Sequence, residues 1–300
     1  MLKKEEIEPK NLNWIDTPGK MTSDPVSQLY FESKGPETAP TIVFLHGGGV
    51  GGWMWRGVVN ILQSDFRCLT PDLPEQGHNV GVPGAPFTVE RAADRVAELI
   101  RSQAGGKAHV VGLSEGAQVT VSMLSRTPQV IDHAVVSSAN LLPLWVNRFM
   151  TEGVYRWSVR LFMQPLKNSD WWIRLNMHGA AGVPDEFFPD FKREFQATTE
   201  DGFTHMMVSS LNFRQPAGLE RADVPVLVAV GSKEYKEMKQ SCRNLLKALP
   251  RARGVMVDLG PKSSLAAEHN WAMTASALFA ATVRAWVTDQ PLPGELKLLE

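Results

Sequence analysis

The chain is poor in several features that assign proteins quickly. It has two cysteines, Cys68 and Cys242, far apart and in no metal-ligand spacing, so a disulfide framework and a cysteine-built zinc site are both excluded, and free buried thiols are expected. No apolar run reaches the roughly 18 residues of a membrane-spanning helix. The N-terminal "MLKKEEIEPKNLNW" follows its lysines with acids and lacks the apolar stretch of a secretory signal, which points to the cytoplasm and to no stable membrane association. The formal net charge is -1, from 31 Lys+Arg against 32 Asp+Glu. With no dense basic run, there is no electrostatic footprint for nucleic acid. A small-molecule partner is expected, with the oligomeric state open and a homodimer among the options.

What is present is a globular composition, 43% hydrophobic and 21% charged over 300 residues, enough for one large domain with an insertion. Short β-branched runs recur at "TIVFL" (41–45), "FRCLT" (66–70), "AHVVGL" (108–113), "HAVVSSA" (133–139), "PVLVAVG" (225–231) and "GVMVDLG" (254–260). Runs without alternation suit strands buried on both faces of a parallel sheet. Helical patterns lie between them. Thr88 is placed to cap a helix whose Val89, Ala92, Ala93, Val96, Ala97 and Ile100 share one face and which Gly105-Gly106 ends. This is βαβ architecture.

The alternation breaks between about Leu141 and Glu220. That segment carries Trp145, Trp157, Trp171 and Trp172 with Phe149, Phe162, Phe187, Phe188, Phe191, Phe195 and Phe203. Its position between two strands predicts a helical lid over residues 141–220, inserted into a core of 1–140 and 221–300. Filling an ordinary core is the alternative for such aromatics.

Within "HVVGLSEGAQV", Ser114 sits in a G-x-S-x-G pattern between a strand and a helix. A chain of this length matches that pattern by accident roughly one time in ten. The strand-to-helix context raises its weight: a sharp turn exposes the hydroxyl, and glycines relieve crowding. A serine nucleophile needs a base, and the base needs an acid to orient it. His269 in "AEHNW" is the only histidine beyond the last two strands. For the acid, Glu234 in "VAVGSKE" lies just past a strand end, where open α/β sheets gather ligands. Glu237 is an equal candidate by reach, Asp258 falls in a strand-like run, and Glu268 adjoins the histidine. Amides of Gly48, in "LHGGGVGGWMW", and of Glu115 are the candidate oxyanion donors. That glycine turn has no Lys-Ser/Thr ending, which disfavours a phosphate loop.

In order, "LHGGGVGGWMW", "PDLPEQGH", "VGLSEGAQ", "VAVGSKE" and "EHNW" resemble the α/β-hydrolase superfamily in its lid-bearing branch, over about residues 28–287. The resemblance implies an α/β fold with a mostly parallel eight-stranded sheet flanked by helices and a helical lid after the sixth strand. It also implies a Ser114, Glu234, His269 triad, an oxyanion hole from Gly48 and Glu115, and neither cofactor nor metal. A serine at the turn, where dehalogenases and epoxide hydrolases of this fold carry aspartate, implies an acyl-enzyme and hydrolysis of small to medium apolar esters. Lactone or cofactor-free C–C bond hydrolysis is the alternative, and a non-catalytic receptor on the same fold a further one. Three features depart from the family pattern: the acid is Glu rather than the commoner Asp, "DLPEQGHN" holds inserted polar residues, and Glu115 puts a carboxylate beside the nucleophile.

Overall fold

A computed structural model describes residues 19–21, 29–143 and 149–299; Trp145 lies outside the described residues. Nine strands form one sheet: β1 (Lys20–Met21), β2 (Tyr30–Lys34), β3 (Thr41–Leu45), β4 (Arg67–Pro71), β5 (Ala108–Leu113), β6 (Ile131–Ser137), β7 (Val226–Gly231), β8 (Ala252–Val257) and β9 (Lys297–Leu299). Their order is β1-β2-β4-β3-β5-β6-β7-β8-β9. The six strands from β3 to β8 pair in parallel, and antiparallel pairings occur only at the edges, β1–β2, β2–β4 and β8–β9. The sheet is mostly parallel, as expected; among the described residues it has nine strands, with short edge strands added to those expected. The short edge strands β1 and β9 lack the apolar runs that mark the interior ones.

The helices are α1 (Arg56–Leu62), α2 (Val89–Gln103), α3 (Glu115–Arg126), α4 (Glu152–Ser158), α5 (Gln164–Leu166), α6 (Asp170–Asn176), α7 (Phe188–Ala197), α8 (Glu200–Asn212), α9 (Lys236–Ala248), α10 (Leu265–His269), α11 (Trp271–Thr274) and α12 (Ser276–Val287). Strand side chains alternate between two cores. Val43, Leu45 and Val110 join α2, α3 and α9 on one face, while Ile42, Phe44 and Val111 join α1, α11 and α12 on the other. Burial on both faces is why the central strands read as continuous apolar runs. Thr88 caps α2 as expected, its hydroxyl accepting from Arg91 N–H at 3.1 Å. Cys68 and Cys242 are free and buried, on opposite faces of the sheet.

Between β6 and β7 the described residues form only helices, α4 to α8, with a π-helical turn at Val159–Met163. The aromatics of this segment divide. Phe187, Phe191 and Phe195 are buried in the second core, with Trp53 and Phe187 rings 5.7 Å apart. Trp157, Phe162 and Trp171 face outward and are exposed.

Candidate active site

Each candidate residue sits just past the carboxyl end of a parallel strand: Gly48 after β3, Ser114 after β5, Glu234 after β7 and His269 beyond β8. Ser114 joins β5 to α3 with φ 55° and ψ -112°, a conformation that costs energy for a residue with a Cβ. The two glycines are required by close approach. A Cβ on Gly116 would lie 2.1 Å from Leu45 O, and one on Gly112 would lie 2.2 Å from Gly116 O. Helix α3 can therefore start directly against β3, which aims its N-terminal amides and Ser114 away from the sheet edge.

Ser114, Glu115 and Gly48 open onto a cavity of about 240 Å³ with Gln118, Asn140, Met206, Met207, Ser210, Leu211 and Met238. The apolar lining is thus methionine and leucine, with none of the aromatics of the 141–220 segment. Met206, Met207, Ser210 and Leu211 come from α8, which closes one side of the cavity. Around Gly48, the neighbouring amides are engaged: Gly47 N–H donates to Met54 Sδ at 3.4 Å and Gly49 N–H to Gln76 Oε1 at 3.0 Å. Gly48 lies between them, facing the cavity. His46, fully buried, holds the same loop from behind: Nδ1 donates to Gly47 O at 2.7 Å and Nε2 accepts from Leu73 N–H at 2.8 Å. Burial lowers its pKa, so it stays neutral and structural.

The structure brings Glu234 to His269, with Oε1 3.4 Å from Nδ1. The Glu234 side chain is fully buried, and its Oε1 also accepts from Ser138 Oγ at 2.5 Å and Gly231 N–H at 3.3 Å. Ser138, at φ 61° directly after β6, is a positioning residue that sequence reasoning missed; a lone serine past a strand carries no motif. The other acids are placed elsewhere. Glu268 spends both oxygens on the β7–α9 turn and its own loop, accepting from Ser232 Oγ, Lys233 N–H and Ser263 Oγ at 2.9, 2.8 and 2.6 Å. Asp258, just beyond β8 rather than within it, pairs with Lys297 Nζ at 2.6 Å. Glu237 lies in the first turn of α9, with its carbonyl accepting from Ser241 Oγ. Among the described residues Ser114 Oγ has no hydrogen-bond partner; catalytic hydrogen bonds are often long or absent in unliganded hydrolytic sites.

The departures in sequence find their place here. Gln76, from the inserted "PEQGH", bridges the glycine turn to the nucleophile's neighbour: its Oε1 holds Gly49 and its Nε2 donates to Glu115 Oε1 at 2.5 Å. Ser210 of α8 donates to Glu115 Oε2, also at 2.5 Å. Glu75 accepts from Phe87 N–H at 2.6 Å and meets His205 of α8 at 3.0 Å. The inserted polar residues are therefore the seam between the glycine turn, α3 and α8. Glu115 is buried, which pushes its pKa up to about 7 against the opposing effect of the Ser210 and Gln76 hydrogen bonds. Its side chain lies beside the cavity as a carboxyl poised between its two charge states.

A family model described as the alpha/beta hydrolase family matches residues 42–289; the chain belongs to that family. The chain is 33% identical over 115 residues to an AB hydrolase superfamily protein of Gibberella zeae, covering 38% of this chain and 40% of that one. It is 29% identical over 125 residues to the carboxylesterase YbfK of Bacillus subtilis, covering 41% and 42%. The chain spans about two fifths of the length of these curated relatives. Among solved structures, an enol-lactonase of Burkholderia xenovorans superposes with a TM-score of 0.67 at 21% identity, covering 87% of this chain and 96% of that one, a likeness of fold. No helix among the described residues is long and apolar enough to cross a membrane.

Proposed function

We propose that the protein is a serine hydrolase cleaving small to medium, mainly apolar carboxylic esters in the cytoplasm, with Ser114 as nucleophile, His269 as base and Glu234 as orienting acid. The observation that carries this reading is the coincidence, at one cavity, of a strained serine at a helix N-terminus with the amides of Gly48 and Glu115. With Nδ1 toward Glu234, His269 keeps Nε2 for the proton of Ser114. Ser114 Oγ attacks the ester carbonyl, and the negative oxygen is met by the N–H groups of Gly48 and Glu115. Collapse expels the alcohol, which takes its proton from His269, and leaves an acyl-serine; a water deprotonated by His269 then releases the acid. Helices α4–α8 act as the lid, α8 supplying Met206, Met207 and Leu211 as the apolar wall. The carboxylesterase relative supports the ester class.

The test is hydrolysis of p-nitrophenyl acetate and butyrate beside lactones and β-diketones. Turnover of the esters, abolished in Ser114→Ala, is expected. Turnover of the lactone or diketone alone would move the chemistry to those bonds, and no turnover at all would favour a receptor.

A further inference from the structure

At the opposite edge of the sheet from Ser114, a second cluster gathers around the start of β5 and β6. His109, Asp132 and His133 place one ligand atom each within 4.8 Å of one another. The cause is a register shift. Ala108 pairs with Ile131 but Val110 pairs with Ala134, so two residues of β6 oppose one of β5. In a regular strand, Asp132 and His133 would point to opposite faces; the bulge re-aims them so that both meet His109.

The three groups are turned toward one point. Asp132 Oδ2 lies 3.8 Å from His109 Nδ1 and 3.9 Å from His133 Nδ1, while the other carboxylate oxygen, Oδ1, is 3.1 Å from Lys107 Nζ. His109 is 6% exposed, and its Nδ1, like both ring nitrogens of His133, is buried without a hydrogen-bond partner. Buried ring nitrogens left unpaired are costly and call for a partner. His133 Nε2 faces Asp289 Oδ1 at 3.5 Å, the outer carboxylate that commonly orients a metal-bound imidazole.

We propose that His109, His133 and Asp132 form a binding site for a divalent transition-metal ion of the zinc type, remote from Ser114. Two imidazoles and one carboxylate are a donor set suited to zinc or cobalt(II), with bonds of about 2.0–2.2 Å. Bringing ligand atoms that all lie within 4.8 Å of one another to the roughly 3.3 Å spacing of tetrahedral donors needs a contraction of up to about 1.5 Å. Side-chain rotation of the half-exposed Asp132 can supply it. The ion would staple β5 to β6 at the bulge, where the ladder is interrupted.

The experiment uses the untagged full chain, stripped with chelator and titrated with cobalt(II), then with zinc. Binding of one equivalent is expected, with visible ligand-field bands of low-symmetry cobalt that zinc abolishes. Unfolding should shift upward by about 5 °C at a hundredfold excess of zinc over Kd. His133→Ala should lose the bands and the shift. Asp132→Asn, at a half-exposed position outside the core, should weaken binding at least tenfold, with hydrolysis at Ser114 unchanged in both. Equal binding in the wild type and both variants, or no binding to the wild type, would overturn the site.

Discussion

Glu115 offers a test in which the sign, the size and the pH window all follow from its surroundings. Its carboxyl is raised from 4.5 to about 7 by burial. Between those values the folded protein keeps a proton that the unfolded chain has released, so stability falls as pH rises. The contribution is fully present below about pH 4.5 and lost above about pH 7. At about 1.4 kcal/mol per unit, it amounts to roughly 3 kcal/mol. Glu115→Gln removes the titration while preserving the contacts: the amide carbonyl accepts from Gln76 Nε2, and the amide N–H₂ donates to Ser210 Oγ. Urea unfolding at about pH 5 should give similar stabilities. By about pH 8 the variant should be more stable by about 2 kcal/mol. In the proposed mechanism the oxyanion forms at the same residue's backbone N–H, and two like charges about 5 Å apart repel by about 3 kcal/mol at an effective dielectric near 20. The ratio of variant to wild-type kcat/KM should therefore climb about tenfold or more across the same window. A stability difference that does not change with pH would refute the burial argument.

Two further outcomes follow from the geometry. Glu234→Gln keeps shape but leaves His269 Nδ1 facing a neutral group, and kcat for p-nitrophenyl butyrate should fall by about 10³–10⁴ with little change in KM; a near-normal kcat would move the role elsewhere. Gly116→Ala places a methyl 2.1 Å from Leu45 O, backbone that cannot turn aside, so the thermal midpoint should drop by several degrees, whereas an unchanged midpoint in a calorimetric scan would contradict the packing of α3 on β3.

Much of the fold was legible because six strands are buried on both faces and therefore written as unbroken apolar runs. The edge strands Lys20–Met21 and Lys297–Leu299 were not, since a strand with one neighbour and open faces needs no such run. Ser114 was legible because its turn forces glycines on both sides. Ser138, Gln76 and Ser210 were not: each acts through one hydrogen bond to a residue far away in sequence, a relation that only the folded chain makes. The aromatics of the insertion gave its helical character but not the cavity lining, because methionines of α8 line the cavity at Ser114 while Trp157 and Trp171 face outward. The histidine–aspartate cluster was invisible for a different reason. A bulge, not a spacing, brings Asp132 and His133 onto one side.

The central claim is that Ser114 is an activated nucleophile. Incubation of the intact protein with a fluorophosphonate, followed by mass spectrometry of its peptides, tests this directly. One adduct, on Ser114, is expected in the wild type, with labelling lost in Ser114→Ala and greatly slowed in His269→Ala. An unlabelled wild type, or an adduct that persists in Ser114→Ala, would contradict the account.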